Sequence, residues 1–283
     1  MSFGDHIALL PNPAPQGEKA RQASAVIAAL LDARGITYTL FAQQWPGSLE
    51  GFSAAWIIGG DGTLNCFINQ YPDTQLPLAL FAAGSGNDFH AMFYQEMSME
   101  EQVGHMLQGR SALVDAGWCN ERLFLNGVGI GFDGAIVHDL LGRKKMAGKA
   151  SYLLAILKHI ATYHEKNYTI RFDGSEVEGP QLMISVANGY RYGGGFQVAP
   201  KADLSDGLLD LNLVGPISPL RRIKYLPVIE KGEHLALPFV RYEQTTSVAI
   251  TTPKPVHAHI DGEYLFTDRF SIRTLPARFR FLY

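Results

Sequence analysis

The residues of this sequence best suited to chemistry stand in two glycine-rich turns. The first is Gly59-Gly60-Asp61-Gly62-Thr63, directly after the apolar run Trp56-Ile57-Ile58; the second is Gly84-Ser85-Gly86-Asn87-Asp88. Glycines at such places let backbone N–H groups come close to a ligand, and a helix N-terminus just beyond adds positive dipole. Thr63 and Ser85 offer hydroxyls, while Asn87 and Asn12, the latter in the earlier turn Pro11-Asn12-Pro13, offer amides. Three such turns converging would suit a phosphate chain. Asp61 is the telling residue, because a carboxylate is repelled by phosphate unless a hard cation such as Mg2+ stands between them. Asp88 repeats the arrangement on the neighbouring turn. The competing reading makes both acids N-caps of the helices that follow. Two acid-bearing turns favour the nucleotide–metal reading over it.

Other candidates lie later in the chain. Asp261-Gly262-Glu263 closes an apolar stretch, and Asp-Gly is the commonest hairpin signal, so by itself Glu263 reads as a turn residue. Asp133 and Asn126 read equally as the polar wall of a cleft or as tight-turn residues. Gly193-Gly194-Gly195 reads as a bulge or close backbone approach, because no helix follows it. His257 and His259 share one face of a strand but lack a third ligand, so no metal is assigned to them. Neither a GxxxxGK[ST] loop nor a GxGxxG after the first strand is present, which counts against a Walker-type ATPase and a Rossmann dehydrogenase.

These residues need elements to hold them. The first third alternates between buried strands (HIALLPNP, ITYTLFAQ, AAWIIGG, LPLALFAAG) and helical stretches (EKARQASAVIAALLDARG, TLNCFINQYP), which predicts a parallel sheet with helices on its faces. Room for a crossover helix is lacking between ITYTLFAQ and AAWIIGG, so that connection is expected to be short or irregular. Beyond about residue 115, short apolar runs punctuated by Gly, Pro, Asn and Asp predict an antiparallel sandwich or barrel, interrupted by two helical insertions. The expected architecture is an α/β domain over 1–115 and a β-rich domain over 116–275, with the cleft between them as the default ligand site.

Composition sets the outer bounds. The 283 residues are 47% apolar and 18% charged, enough for a core of ordinary size. A net charge of −3 argues against a nucleic-acid partner. Cys66 and Cys119 form neither a metal spacing nor a disulfide framework, the N-terminus carries no signal peptide, and no apolar run approaches the ~20 residues that span a bilayer. A cytoplasmic protein is expected. The segment 143–163 carries an apolar stripe (Leu153, Ile156, Leu157, Ile160) bordered by Lys144, Lys145, Lys149 and Lys158. It reads first as a helix packed on its own domain, and second as a basic amphipathic helix lying on an anionic membrane.

Taken in order, GGDGTLN, GSGNDF, NGVGIGFDG, YGGGFQVAPKADLSDGLLD and HIDGEYL resemble the diacylglycerol kinase catalytic-domain family, which embraces bacterial lipid kinases and eukaryotic sphingosine and ceramide kinases. The resemblance runs from Asn12 to the end of the chain. GGDGT alone is shared with NAD kinases; the five blocks together are specific. The resemblance implies an NAD kinase-like first domain, a sandwich-like second domain, and a C-terminal strand, 276–283, returning to the first. It implies an ATP- and Mg2+-dependent transfer of the γ-phosphoryl group to a hydroxyl of a diacylglycerol-like or sphingoid lipid. The rival readings are a kinase of a soluble alcohol and a silent nucleotide- or lipid-binding protein.

Carried over by position, the resemblance makes Ile58, Gly59, Gly60, Asp61, Gly62, Thr63 and Leu64 the nucleotide-phosphate loop and Ser85 a nucleotide contact, and it keeps the family's Asn12; the reading of the turns themselves adds Asn87 and Asp88 to the nucleotide contacts. Glu263 matches the family's catalytic carboxylate, and Asp61 is the second catalytic candidate. Asp206 would give its carboxylate, and Asp203 and Leu208 their backbone carbonyls, to a structural Mg2+. Ser85 replaces the family's usual threonine, and NPAPQG lacks the serine of the usual NPxSG. The lipid would be met by transient membrane association; the oligomeric state, a homodimer among the options, stays open.

Overall fold

A computed structural model describes residues 6–14, 17–94, 96–141 and 149–283, with the backbone alone for 149–153. Lys144 and Lys145 of the expected basic helix, and Pro15 and Gln16 of the NPAPQG turn, lie outside the described residues. The side chains of Lys149 and Leu153 do too. The chain divides into two compact units, Met1–Val114 with Ala277–Tyr283, and Asp115–Pro276.

In the first unit β1 (Ile7–Pro11), α1 (Glu18–Asp32), β2 (Tyr38–Leu40), β3 (Ala54–Gly59), α2 (Asp61–Gln70), β4 (Leu78–Ala82), α3 (Asp88–Phe93) and α4 (Met99–Leu107) follow one another. The strands run parallel in the order β2-β1-β3-β4. Every residue of β1 and β3 is buried, which is why both read as unbroken apolar runs rather than alternating ones. No helix forms between β2 and β3, as the short spacing predicts. α4 is absent from the sequence reading, although Ser98 and Glu101 spell its start: Ser98 Oγ accepts from the Glu101 N–H while the Glu101 carboxylate accepts from the Ser98 N–H. Because β1, β3 and β4 are parallel, the turns at Asn12, Gly60 and Gly84 leave the sheet at the same edge.

β5 (Ser111–Cys119) carries the chain into the second unit. There β6 (Arg122–Phe124), β7 (Gly127–Gly131), α5 (Phe132–Leu140), α6 (Lys149–Thr162), β8 (Lys166–Phe172), β9 (Ser175–Gln181), β10 (Met183–Ala187), β11 (Leu209–Val214), α7 (Pro219–Glu230), β12 (Val240–Thr245), β13 (Ser247–Ile260) and β14 (Glu263–Leu282) follow. Strands β12-β11-β10-β7-β13 pair antiparallel in that order, and β13 also pairs with β8 and β14. The register of β13 on β14 shifts between Thr251 and Val256, across Pro253 and Pro255, which have no N–H to give a ladder. Val128, Ile130, Ile184, Val186, Leu211 and Ile250 are among the fully buried residues of this unit's core. GFDG, read as the end of an apolar strand run, in fact opens α5. Gly131 takes φ 89°, a turn few other residues make, and the chain leaves the strand into a helix.

The last residues of β14 belong to the first unit, where Phe281 lies opposite Leu78 in a parallel pairing with β4. Among the described residues, no helix is long and apolar enough to cross a membrane.

Candidate functional site

The two glycine turns of the first unit are interlocked by their backbones. A Cβ on Gly60 would lie 2.3 Å from the Gly86 carbonyl oxygen, and one on Gly84 would lie 2.4 Å from the Gly60 Cα. The Asp61 N–H donates to Gly86 O at 3.1 Å and the Ala83 N–H to Gly59 O at 2.9 Å. Asn87 ties its own turn from within, accepting from the Gly84 N–H and donating to the Gly84 carbonyl, both at 3.1 Å. Gly59 leaves room for the buried Thr63 side chain, which a Cβ would meet at 2.3 Å. Ile58 and Leu64 are core residues, so any ligand contact of theirs is through the backbone. Ser85 and Gly62 are exposed.

Asp61 does not cap its own helix. The N-cap of α2 is Gly60 and that of α3 is Asn87, so Asp61 and Asp88 are first helical residues. The Asp61 carboxylate reaches across to the start of α3, accepting from the N–H groups of Asp88 and Phe89, each at 2.9 Å. It therefore fills the anion position at that helix end. The amides of Thr63 and Leu64 turn back to Gly60 O. Among the described residues, the N–H groups of Gly62, Ser85 and Gly86 meet no acceptor, which leaves donors for phosphate oxygens on both turns. Asn12 closes the third turn, its Oδ1 accepting from the Ala14 N–H at 2.9 Å while its own N–H donates to Ile58 O.

In the second unit, Asp261 and Gly262 form a two-residue hairpin turn, with φ 48° and 86°, that pairs Ile260 with Glu263. The Asp261 carboxylate accepts three backbone N–H groups, from Leu125 at 2.8 Å, Asn126 at 3.0 Å and Gly127 at 2.8 Å. It anchors the turn. Glu263 stands at the exposed start of β14. Behind it His259 and Asp133 are both buried, with His259 Nε2 lying 3.2 Å from Asp133 Oδ2. Sequence reasoning named both residues without joining them; the signal was the pairing of Gly129 with His259, invisible before the register is known.

The proposed cation loop is built of carboxylates turned onto their own backbone. Asp203 Oδ1 accepts from the Ser205 N–H and hydroxyl, and Asp206 Oδ1 accepts from the Leu208 N–H at 2.9 Å. The Gly207 N–H donates to the buried Asp115 at 2.6 Å. Nearby Asp210 is almost fully buried, and its carboxyl is pushed up to about 6, by desolvation first and by the Asp206 charge; the Tyr242 hydroxyl, 2.6 Å away, and Lys201 oppose this. A hard cation would relieve that excess of negative charge, so the loop fits Mg2+. Among the described residues no three His, Cys, Asp or Glu side chains converge as ligands, so one carboxylate would work with backbone carbonyls.

A feature the sequence could not reveal is a narrow apolar cavity of about 70 Å3 inside the second unit. Phe132 and Ile136 of α5, Ile156 and Ile160 of α6, and Leu226 and Ile229 of α7 line it, with Asp133 in its wall. Arg222, also at the cavity, is committed elsewhere: it donates to Ile160 O and Tyr163 O and pairs with Glu165. The outward sides of α6 and α7 expose Leu154, Leu157, Leu220 and Ile223, Leu220 to 81%, beside exposed Arg221 and Lys224.

Residues 6–119 match the diacylglycerol kinase catalytic domain, and residues 126–283 match the YegS C-terminal NAD kinase beta sandwich-like domain. Among curated proteins, "Diacylglycerol kinase" of Mycobacterium tuberculosis is 26% identical over 241 residues, 82% of this chain and 77% of its own length. "Probable lipid kinase YegS-like" of Yersinia enterocolitica is 30% identical over 238 residues, 77% of this chain and 74% of its own. A crystal structure of a diacylglycerol kinase from Bacillus anthracis str. Sterne superposes with a TM-score of 0.74 at 20% identity, covering 100% of this chain and 98% of that one. That likeness is one of fold.

Proposed function

This chain belongs to the diacylglycerol kinase family of lipid kinases, phosphotransferases with an alcohol as acceptor, and we propose that it moves the γ-phosphoryl group of ATP, with Mg2+, to a hydroxyl of a lipid of the diacylglycerol or sphingoid type. The observation that carries the lipid half is the apolar cavity lined by α5, α6 and α7: a slot lined by Phe, Ile and Leu suits an acyl chain and offers a soluble sugar or nucleotide little to bind. The open N–H groups of Gly62, Ser85 and Gly86 support the phosphate half, since such donors hold anions without a side-chain charge.

Bound ATP and its Mg2+ would supply an electrophilic phosphorus with its charge partly neutralised; the rest falls to the protein. The interlocked turns hold the phosphate oxygens by fixed N–H groups, and Asp61 keeps the two turns in register. Glu263 would take the proton of the acceptor hydroxyl as its oxygen bonds to the γ-phosphorus, while the bond from that phosphorus to the β–γ bridging oxygen breaks and ADP leaves. The carboxylate of Asp206 and the carbonyls of Asp203 and Leu208 would hold a second, structural Mg2+, ordering the loop that precedes β11.

Incubating the protein with ATP, with Mg2+ or with excess chelator, and with lipids in mixed micelles tests the whole reading. The expected result is Mg2+-dependent phosphorylation of lipid hydroxyls, with none on NAD or sugar phosphates. Activity confined to the soluble alcohols would replace the acceptor class, and binding without turnover would favour the silent protein.

Access to the lipid is part of the same proposal. Leu154, Leu157, Leu220 and Ile223 with Arg221 and Lys224 suit the surface of an anionic bilayer, where apolar side chains enter the interface and cations meet headgroups. Leu220→Glu combined with Ile223→Glu should cut sedimentation with phosphatidylglycerol vesicles several-fold while turnover on a short-chain soluble lipid stays near wild type. Unchanged vesicle binding would remove these helices from the docking surface.

A further inference from the structure

The buried pair His259 and Asp133 has no part in phosphate binding as described above, and of the two Asp133 alone borders the apolar cavity. His259 is 3% exposed and Asp133 6%. Two polar, ionisable side chains sealed in a β-rich core are expensive, and apolar residues of the same volume commonly serve stability as well or better. Their geometry suggests what the cost supports.

The Gly262 N–H donates to His259 Nδ1 at 3.2 Å. That bond leaves Nδ1 without a proton, so the single N–H of the neutral ring is on Nε2, which lies 3.2 Å from Asp133 Oδ2. Space for the pair exists because β7 has glycine opposite His259: a Cβ on Gly129 would fall 2.3 Å from Nε2 and 2.5 Å from Asp133 Oδ2. The ring of Tyr192 stands edge-on to the imidazole at 5.4 Å. The Asp261-Gly262 turn is thus held from two directions, by three backbone N–H groups on the Asp261 carboxylate and by His259 on the Gly262 N–H. Glu263 is the next residue. Asp133 also belongs to the wall of the apolar cavity, on the helix that contributes Phe132 and Ile136 to it.

We propose that His259, oriented by Asp133, is a positioning residue for Glu263: it fixes the Gly262 peptide, and through it the direction in which the Glu263 carboxylate leaves β14. The same pair links the wall of the acyl cavity to the catalytic turn, so that a chain filling the cavity braces the residue that sets the base. The inference rests on the reading of Glu263 as the base. Removing a partner of this kind costs roughly 10–100-fold in the function of the group it orients, by analogy with the outer-shell partners of metal ligands.

Two substitutions of His259 separate its hydrogen bond with Gly262 from its polar contact with Asp133, whose Oδ2 lies 3.2 Å from Nε2 outside hydrogen-bonding geometry. In His259→Asn the amide oxygen reaches the position of Nδ1 and can accept from Gly262, but nothing reaches Asp133. In His259→Gln the amide reaches the position of Nε2, and the Gly262 bond is lost. Turnover on a responsive lipid, the KM for ATP and the melting temperature are measured for both, for Asp133→Ala, for Glu263→Gln, and for His259→Gln combined with Glu263→Gln. The expected result is a fall of about 10–100-fold in kcat for His259→Gln with KM for ATP unchanged, retention within about threefold for His259→Asn, and little further loss when His259→Gln is added to Glu263→Gln. Wild-type kcat in His259→Gln, or an equal loss on top of Glu263→Gln, would overturn the positioning role. Should His259→Gln not fold, His259→Leu, which likewise has no acceptor for the Gly262 N–H, carries the same comparison, alone and with Glu263→Gln. Wild-type turnover in Glu263→Gln would instead bring down the reading of Glu263 itself, a result told apart by that single variant.

Discussion

The Asp61 carboxylate reaches from its own turn to the first N–H groups of α3, and its removal should be felt twice. Asp61→Ala strips the carboxylate from the first N–H groups of α3, so stability should fall by about 1 kcal/mol, as for a lost helix cap. Turnover should fall much further, because the glycine turns would lose their common anchor. Urea unfolding alongside a lipid phosphorylation assay checks both, and full activity with reduced stability would confine Asp61 to the capping role. At this scale the sequence exposed residue types better than partners. GGDGT and GSGND were legible as tight turns at the ends of apolar strands, because glycine and short polar side chains favour such turns. That Asp61 bonds to the N–H groups of residues 88 and 89 was not legible, since it depends on β3 and β4 lying side by side. Asp133 and His259 were hidden for the same reason: 126 residues of chain separate two atoms 3.2 Å apart.

Among the elements, the β13–β14 hairpin, which holds the proposed base, also carries a titration. His257, on β13, accepts or donates at Nδ1 to the Tyr264 hydroxyl at 2.7 Å and stacks on His138 of α5 with ring centres 4.3 Å apart. Desolvation, then the nearby charges of His138, His159 and Lys166, hold its pKa below the usual histidine value. The unfolded chain therefore takes up the proton first as pH falls. This contribution to stability is intact above about 6.5 and is lost as pH drops from there through the lower folded value. Melting temperatures between pH 5 and 7.5 should decline on the acid side, and His257→Gln should decline less steeply over the same interval. An identical slope in the variant would show that the other histidines carry the effect. Strands of this unit were readable from alternation and turn residues; its helix α5, and α4 of the first unit, were not. α5 begins inside a glycine-rich run whose composition reads as a turn, and α4 is short enough that its Ser98–Glu101 capping signal was the sole clue.

For the molecule as a whole, the notable fact is that the chain builds the second unit as an insertion between the first unit's body and its last strand. Phe281 is fully buried there, 4.8 Å between ring centres from Phe89 and 5.5 Å from Phe93. Phe281→Ala should destabilise the first unit by about 3–5 kcal/mol, the usual range for deleting a buried phenyl group. Tryptophan emission would follow this, since Trp45 and Trp56 belong to the first unit and Trp118 to the second. A midpoint unchanged in urea would mean that the returning strand contributes little.

That returning strand also dictates an order of events during synthesis. Residues 6–114 emerge first and can pair β2, β1, β3 and β4, but β4 keeps one edge bare until residues 277–283 have been made. For most of translation the nascent chain thus presents a hydrophobic parallel edge open to strand addition by another chain, the situation in which newly made proteins aggregate or recruit chaperones. Ribosome stalling or a premature stop within the second unit should therefore yield insoluble fragments rather than a free, folded first unit.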